Sequence, residues 1–185
     1  MIIFQSLLVL ENMEQRVVEK KQSLLKQTQK KLADGIASNP IKVAIESKNQ
    51  GGFQTKILIR GHEIISDQPL GFNGQNKGPK PSELVLAALA ACQETTYRIF
   101  AEDMGIHIGK ISVQLRGTQD LRGFMALDDE IPAGFTNIEG QIFIESDATE
   151  EDLERLRQNV DQHCPVLDDL RRPVDVSFSL ERHSA

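Results

Sequence analysis

The chain has no tryptophan, one tyrosine and only two cysteines in 185 residues. It has no CxxC pair, and His62, His107, His163 and His183 are scattered, so spacing offers no metal site. Lys and Arg are dispersed under a net charge of −6, which excludes the clustered positive surface that duplex nucleic acid needs. The longest apolar stretch, Leu84 to Cys92, falls far short of the ~20 residues of a membrane span. The leading MIIFQSLLVLENMEQ has no basic opening, is broken by Gln5 and Ser6, and has no small-x-small cleavage site, so it does not read as a signal peptide. These absences point to a cytoplasmic protein with no membrane or nucleic-acid partner, no metal and no cofactor. In a reducing compartment two cysteines read as reactive thiols rather than as a staple.

What is present is ordinary globular composition, 39% hydrophobic and 26% charged, at a length that suits one domain. Residues 13–34 predict a polar helix with a thin apolar stripe of Val17, Val18, Leu25 and Leu32, ended by Gly35 and a Ser38-Asn39-Pro40 linker. We divide the chain there, with residues 1–36 a helical extension and 37–185 the domain.

From Ile41 the period changes to two. Val43 and Ile45, then Phe53, Thr55, Ile57 and Ile59, predict two strands joined by a turn at Asn49-Gln50-Gly51-Gly52. A Gly/Pro/Asn loop at 67–80 precedes a helix from Pro81 to about Asp103, stopped by Gly105. Ile111, Val113 and Leu115, then Ile138, Ile142 and Ile144, predict an antiparallel pair around a loop from Thr118 to Thr136. Thr149 opens a capped helix carrying Leu153, Leu156 and Val160, and Pro165 starts a short one. Val174, Val176, Phe178 and Leu180 alternate cleanly as a final strand. The order β-β-α-β-β-α-α-β is an α+β fold.

The helix from Pro81 is the unusual element. Val85, Ala88, Leu89, Cys92, Thr96 and Ile99 share one face, while Leu86, Ala87 and Ala90 make the other side apolar too. A helix apolar on most of its circumference needs more cover than one small sheet gives, and a second subunit supplies it. Tyr97 reads as packing, and Glu94 with Arg98 as an i,i+4 surface ion pair. Cys164 precedes Pro165, which leaves two readings: an N-cap thiol favoured as thiolate by free N–H groups, or a small buried hydrophobe at a helix start. His163 beside it reads as a surface or hinge residue, and His62 as a weak candidate.

GPKPSELVLAALAACQ, followed by a strand pair, a helix, HCPVLDDL and a terminal strand, resembles the OsmC/Ohr superfamily of hydroperoxide-resistance proteins, over roughly Ile41 to Glu181. The resemblance implies an intertwined homodimer whose antiparallel sheets wrap two central helices. It also implies a cysteine peroxidase acting on organic hydroperoxides at the dimer interface, re-reduced by a small dithiol or thioredoxin-like donor. Carried over residue by residue, Cys92 matches the cysteine that attacks the peroxide and Cys164 the one that resolves its sulfenic acid into a disulfide. Better-known branches place an activating Arg about twenty residues before the attacking cysteine, whereas this chain has no Arg between Gly61 and Tyr97. Arg60 is the nearest candidate, with Lys77 and Lys80 the only cations in the loop. Those branches also put Glu directly after the motif proline, where this chain has Ser82 and then Glu83. Glu83 is carried as a site candidate, although nine residues at ~100° each turn it away from Cys92 and toward first-turn capping. The rival reading keeps the fold as a small-ligand-binding or general thiol-redox protein with little peroxidase activity.

Overall fold

Asn49 organises the first hairpin. Its side chain accepts the Gly51 N–H at 2.9 Å and donates to the Gly52 carbonyl at 3.1 Å, turning the chain from β1 (Glu46–Gly51) into β2 (Gln54–Ile59). This is a computed structural model, which describes residues 26, 28–36 and 40–182. The expected helix over 13–34 lies largely outside the described residues, of which 28–33 are helical. The first strand begins at Glu46, later than Val43 and Ile45 suggest, and it runs on through Asn49 and Gly51, which belong to the ladder.

A third strand, β3 (His62–Ser66), is absent from the sequence reading. It pairs antiparallel with β2 through a two-residue turn in which Arg60 and Gly61 both take positive φ, 53° and 97°. Both φ signs suit a tight hairpin, but an arginine in the first position hides the signal that Asn-Gly would give.

Beyond the short 3-10 turn at Leu70–Phe72, Pro81 opens α1 (Pro81–Met104). Gly105, at φ 71°, closes it: its N–H bonds the Glu102 carbonyl at 3.3 Å, and Ile106 N–H the Ala101 carbonyl at 2.8 Å, a Schellman ending. β4 (Ile111–Gln119) and β5 (Phe135–Ile144) form the expected antiparallel pair, with Val113 opposite Ile142 and Leu115 opposite Gly140. The intervening loop contains a one-turn helix, α2 (Leu121–Phe124). Thr149 caps α3 (Glu150–His163) by accepting the Asp152 N–H at 3.1 Å, and α4 (Pro165–Arg171) follows at once.

The core lies where α1 meets β4, α3 and α4. Tyr97 and Ala101 of α1 pack with Ile108, with Leu156 and Val160 of α3, and with Cys164 at the α3–α4 junction. Fully burying an aliphatic side chain contributes about 1.5–3 kcal/mol, so Leu156 and Val160, one turn apart and sealed, anchor α3 to α1. The face proposed from spacing is divided: Leu89 and Thr96 are buried, whereas Val85, Ala88 and Ile99 are exposed.

Two features remain without cover in the chain. The three-stranded sheet β1-β2-β3 makes no broad contact with α1, the β4–β5 pair or the later helices. Residues 173–182 form no strand, contrary to their alternation, with Phe178 95% and Leu180 99% exposed. A strand exists only where another pairs with it, and no described strand of this chain does so.

Candidate functional site

Cys92 sits in the middle of α1, half-buried, with its carbonyl accepting the Thr96 hydroxyl at 2.7 Å. Cys164 ends one helix and begins the next. Its N–H reaches the Val160 carbonyl at 2.9 Å in the last turn of α3, and its carbonyl accepts the Asp168 N–H at 3.0 Å in α4. Pro165, at the first position of α4, holds Cys164 in extended geometry between the two helices (φ −75°, ψ 112°). This junction turns the Cys164 side chain inward, 0% exposed, and its S–H donates to the Cys92 sulfur at 3.3 Å.

Residues 72 apart in sequence are thus in direct contact through their sulfurs. A disulfide needs an S–S separation of about 2.05 Å, so the pair closes by a shift of roughly 1.3 Å. Burial pushes the Cys164 thiol up from its ordinary value; the Leu167 amide opposes this, the neighbouring Cys92 adds to it, and Thr96 opposes it. The N-cap thiolate reading is therefore corrected: desolvation in the core outweighs the first-turn amides of a seven-residue helix, and Cys164 holds its proton.

The other two candidates are not brought to the pair within the chain. Glu83, at the third position of α1, is exposed and accepts the Lys80 N–H at 3.0 Å. Nine residues of helix place it about 13 Å along the axis from Cys92. Its observed contact is a first-turn cap. Arg60 occupies the exposed β2–β3 turn, with no hydrogen bond or ion pair among the described residues. Since its sheet does not pack on α1, no geometry in one chain carries its guanidinium to Cys92. Among the described residues no lysine, arginine or histidine side chain hydrogen-bonds either sulfur. His163 bonds the Asn159 carbonyl at 2.8 Å and lies against Phe100. Arg98 does not pair with Glu94; its guanidinium reaches the Ile108 and Gly109 carbonyls at 3.4 and 3.5 Å.

Two residues escaped the sequence reading. Asp67, 1% exposed, accepts the backbone N–H groups of Gln68, Gln75 and Lys77 at 2.8, 3.0 and 3.1 Å, folding the loop that leads into α1. Within that loop a side chain at Gly74 would meet the Gln68 carbonyl at 1.9 Å, so only glycine fits. An aspartate ahead of a Gly/Asn-rich loop was the available signal. Gln93, the residue after Cys92, is buried and lines a cleft of about 710 Å³ between α1, the β4–β5 pair and α4. A glutamine inside an apolar helix was its only mark.

Among known proteins, the family model described as OsmC-like protein matches residues 74–179, more than half of the chain and the stretch holding both cysteines. An OsmC like protein from Mycoplasma pneumoniae is similar at TM-score 0.63 and 21% identity, over 72% of this chain and 89% of its own. An organic hydroperoxide resistance protein OsmC from Legionella pneumophila is similar at TM-score 0.54 and 18% identity, over 75% and 95%. An organic hydroperoxide resistance protein from Elizabethkingia anophelis is similar at TM-score 0.53 and 17% identity, over 74% and 93%. At such identities the likeness is one of fold. No curated protein matches the chain. Among the described residues no helix is long and apolar enough to cross a membrane.

Proposed function

The chain belongs to the OsmC-like protein family, and from that premise we propose that it is a thiol peroxidase reducing organic hydroperoxides. The observation that carries this reading is the 3.3 Å approach of the Cys92 and Cys164 sulfurs inside a buried core. The Cys92 thiolate attacks one peroxide oxygen, the O–O bond breaks, and the leaving alkoxide takes a proton to become the alcohol. Cys92 is thereby oxidised to a sulfenic acid. The Cys164 thiol displaces its hydroxyl, forming the S–S bond and releasing water. A small dithiol or thioredoxin-like protein then reduces the disulfide by exchange and is itself oxidised. Cys164, which burial holds protonated, serves as the resolving thiol.

The reading includes a homodimer in a reducing, cytoplasmic setting. Its support is the uncovered apolar surface of one chain: Val85 and Ile99 on α1, the detached sheet, and the unpaired 173–182 segment. Arg60 remains the cation assigned to favour the Cys92 thiolate, through a contact made between subunits. The lack of a cation hydrogen-bonded to either sulfur within the described chain favours the rival, a small-ligand or thiol-redox protein with little peroxidase activity.

Stopped-flow oxidation of the reduced protein by cumene hydroperoxide separates them. The proposal expects consumption orders of magnitude faster than a free thiol, abolished in Cys92→Ser. A rate equal to that of a free thiol favours the rival.

A further inference from the structure

Cys92 lies in the middle of α1, far from the helix ends, whose partial charges fade within one turn. Among the described residues no cation hydrogen-bonds its sulfur. The Thr96 hydroxyl, one turn further along, donates to the Cys92 carbonyl at 2.7 Å. A half-buried thiolate with no donor is unfavourable, because dry surroundings favour the neutral thiol. The Cys92 sulfur does have one donor: the Cys164 S–H, at 3.3 Å. The two sites differ in a way that fixes the direction of this bond. Cys164 is 0% exposed, whereas Cys92 keeps part of its surface. Burial pushes the Cys164 thiol up and the neighbouring Cys92 adds to it, so of the two Cys164 is the one that keeps its proton.

We infer that Cys164 acts before it resolves anything: its S–H is the hydrogen-bond donor that holds the Cys92 thiolate within a single chain. An S–H is a weak donor toward a neutral acceptor, and a charged acceptor strengthens the bond. Paired thiols in Cys-X-X-Cys sites favour one thiolate in the same setting, a second sulfur close by. Here the pair is built from residues 72 apart, brought together by α1 and the α3–α4 junction. One proton then serves twice. It bridges the sulfurs while Cys92 is ionised, and it leaves with the displaced hydroxyl as water when Cys164 closes the disulfide. A cation brought by a second subunit adds to this donor and does not replace it. Removing the resolving cysteine should therefore slow the first step, in which its own sulfur forms no bond. That the thiolate meets a hydroperoxide rests on the peroxidase reading; the sulfur-to-sulfur hydrogen bond does not.

The test uses reduced full-length protein without peroxide. Cys164→Ser keeps a donor that cannot form a disulfide, Cys164→Ala removes the donor, and Cys164→Val removes it while filling the space. Cys92 is the one cysteine left in each, so the ultraviolet absorbance of the thiolate and the rate of iodoacetamide modification both report on it alone. At neutral pH, Cys164→Ala and Cys164→Val should lower both the thiolate signal and the alkylation rate by about fivefold or more, and Cys164→Ser should restore most of each. If Cys164→Ala fails to fold, Cys164→Val against Cys164→Ser carries the comparison. A Cys164→Val protein as reactive as the wild type overturns the inference. So does a Cys164→Ser protein as slow as the Val variant, which would make the loss one of packing. Slow oxidation by cumene hydroperoxide beside a Ser-restored thiolate would defeat the peroxidase reading alone. Fast oxidation whose first step is unchanged in Cys164→Val would defeat this inference alone.

Discussion

The Asp67 carboxylate accepts the Lys77 backbone N–H at 3.1 Å across a ten-residue loop, and with the Gln68 and Gln75 amides it fixes the approach to the cysteine-bearing helix. Burial opposes ionisation, but the Lys77, Gln68 and Gln75 amides, together with the Lys77 charge, hold the carboxyl below its ordinary value of 3.8. A depressed carboxyl contributes stability above the unfolded-state value and loses it as pH falls through the folded-state value. The loop should therefore loosen below about pH 3.8. Hydrogen exchange of the Gln75 and Lys77 amides should rise in that window. Asp67→Asn should show weaker protection already at neutral pH and no further acid step from this group; an unchanged acid limb would contradict the role.

Cys164 should be the slower thiol toward alkylation. With its proton held by burial, iodoacetamide should modify Cys92 first in the reduced protein. Modification of Cys164 should accelerate as pH rises, roughly tenfold per unit until its raised value is passed. Mass spectrometry of timed digests reads both sites. Equal rates at neutral pH would refute the desolvated Cys164.

The uncovered apolar face of α1 gives a test of assembly. Light scattering should find about twice the 20.7 kDa chain mass at micromolar concentration. Ile99→Asp, on that face, should dissociate the dimer and lower Tm. A stable, folded wild-type monomer would contradict the proposed homodimer.

Residues 1–36 lie outside the matched stretch, and their removal should leave the Cys92 oxidation rate within about twofold, a change of roughly 0.4 kcal/mol. Leu156→Ala, by contrast, opens the sealed α1–α3 contact and should cost about 2–5 kcal/mol in urea unfolding. A folded truncated protein with an unreactive Cys92 would overturn the division of the chain.

How far the sequence could be read depended on whether each signal was local. The Pro81 start and Gly105 stop of α1, the Thr149 cap, and the β4–β5 alternation are encoded by neighbouring residues, and these elements stand where expected. β3 was hidden because its turn uses Arg60 at positive φ. The alternation of Val174 to Leu180 is as regular as any in the chain, but periodicity cannot supply a strand to pair with. Spacing also grouped Val85 and Ile99 with Leu89 without saying which side of α1 its own chain would cover. Both cysteines were legible as a pair through their motifs. Gln93 was not, since its buried, unpartnered amide is a property of packing.

The most direct measurement is peptide mapping of the protein after one equivalent of cumene hydroperoxide. The 3.3 Å sulfur contact predicts a single intramolecular Cys92–Cys164 disulfide, formed at the expense of both free thiols and reversed by a dithiol. Cys92 carried to sulfinic or sulfonic acid while Cys164 remains a free thiol would contradict the account.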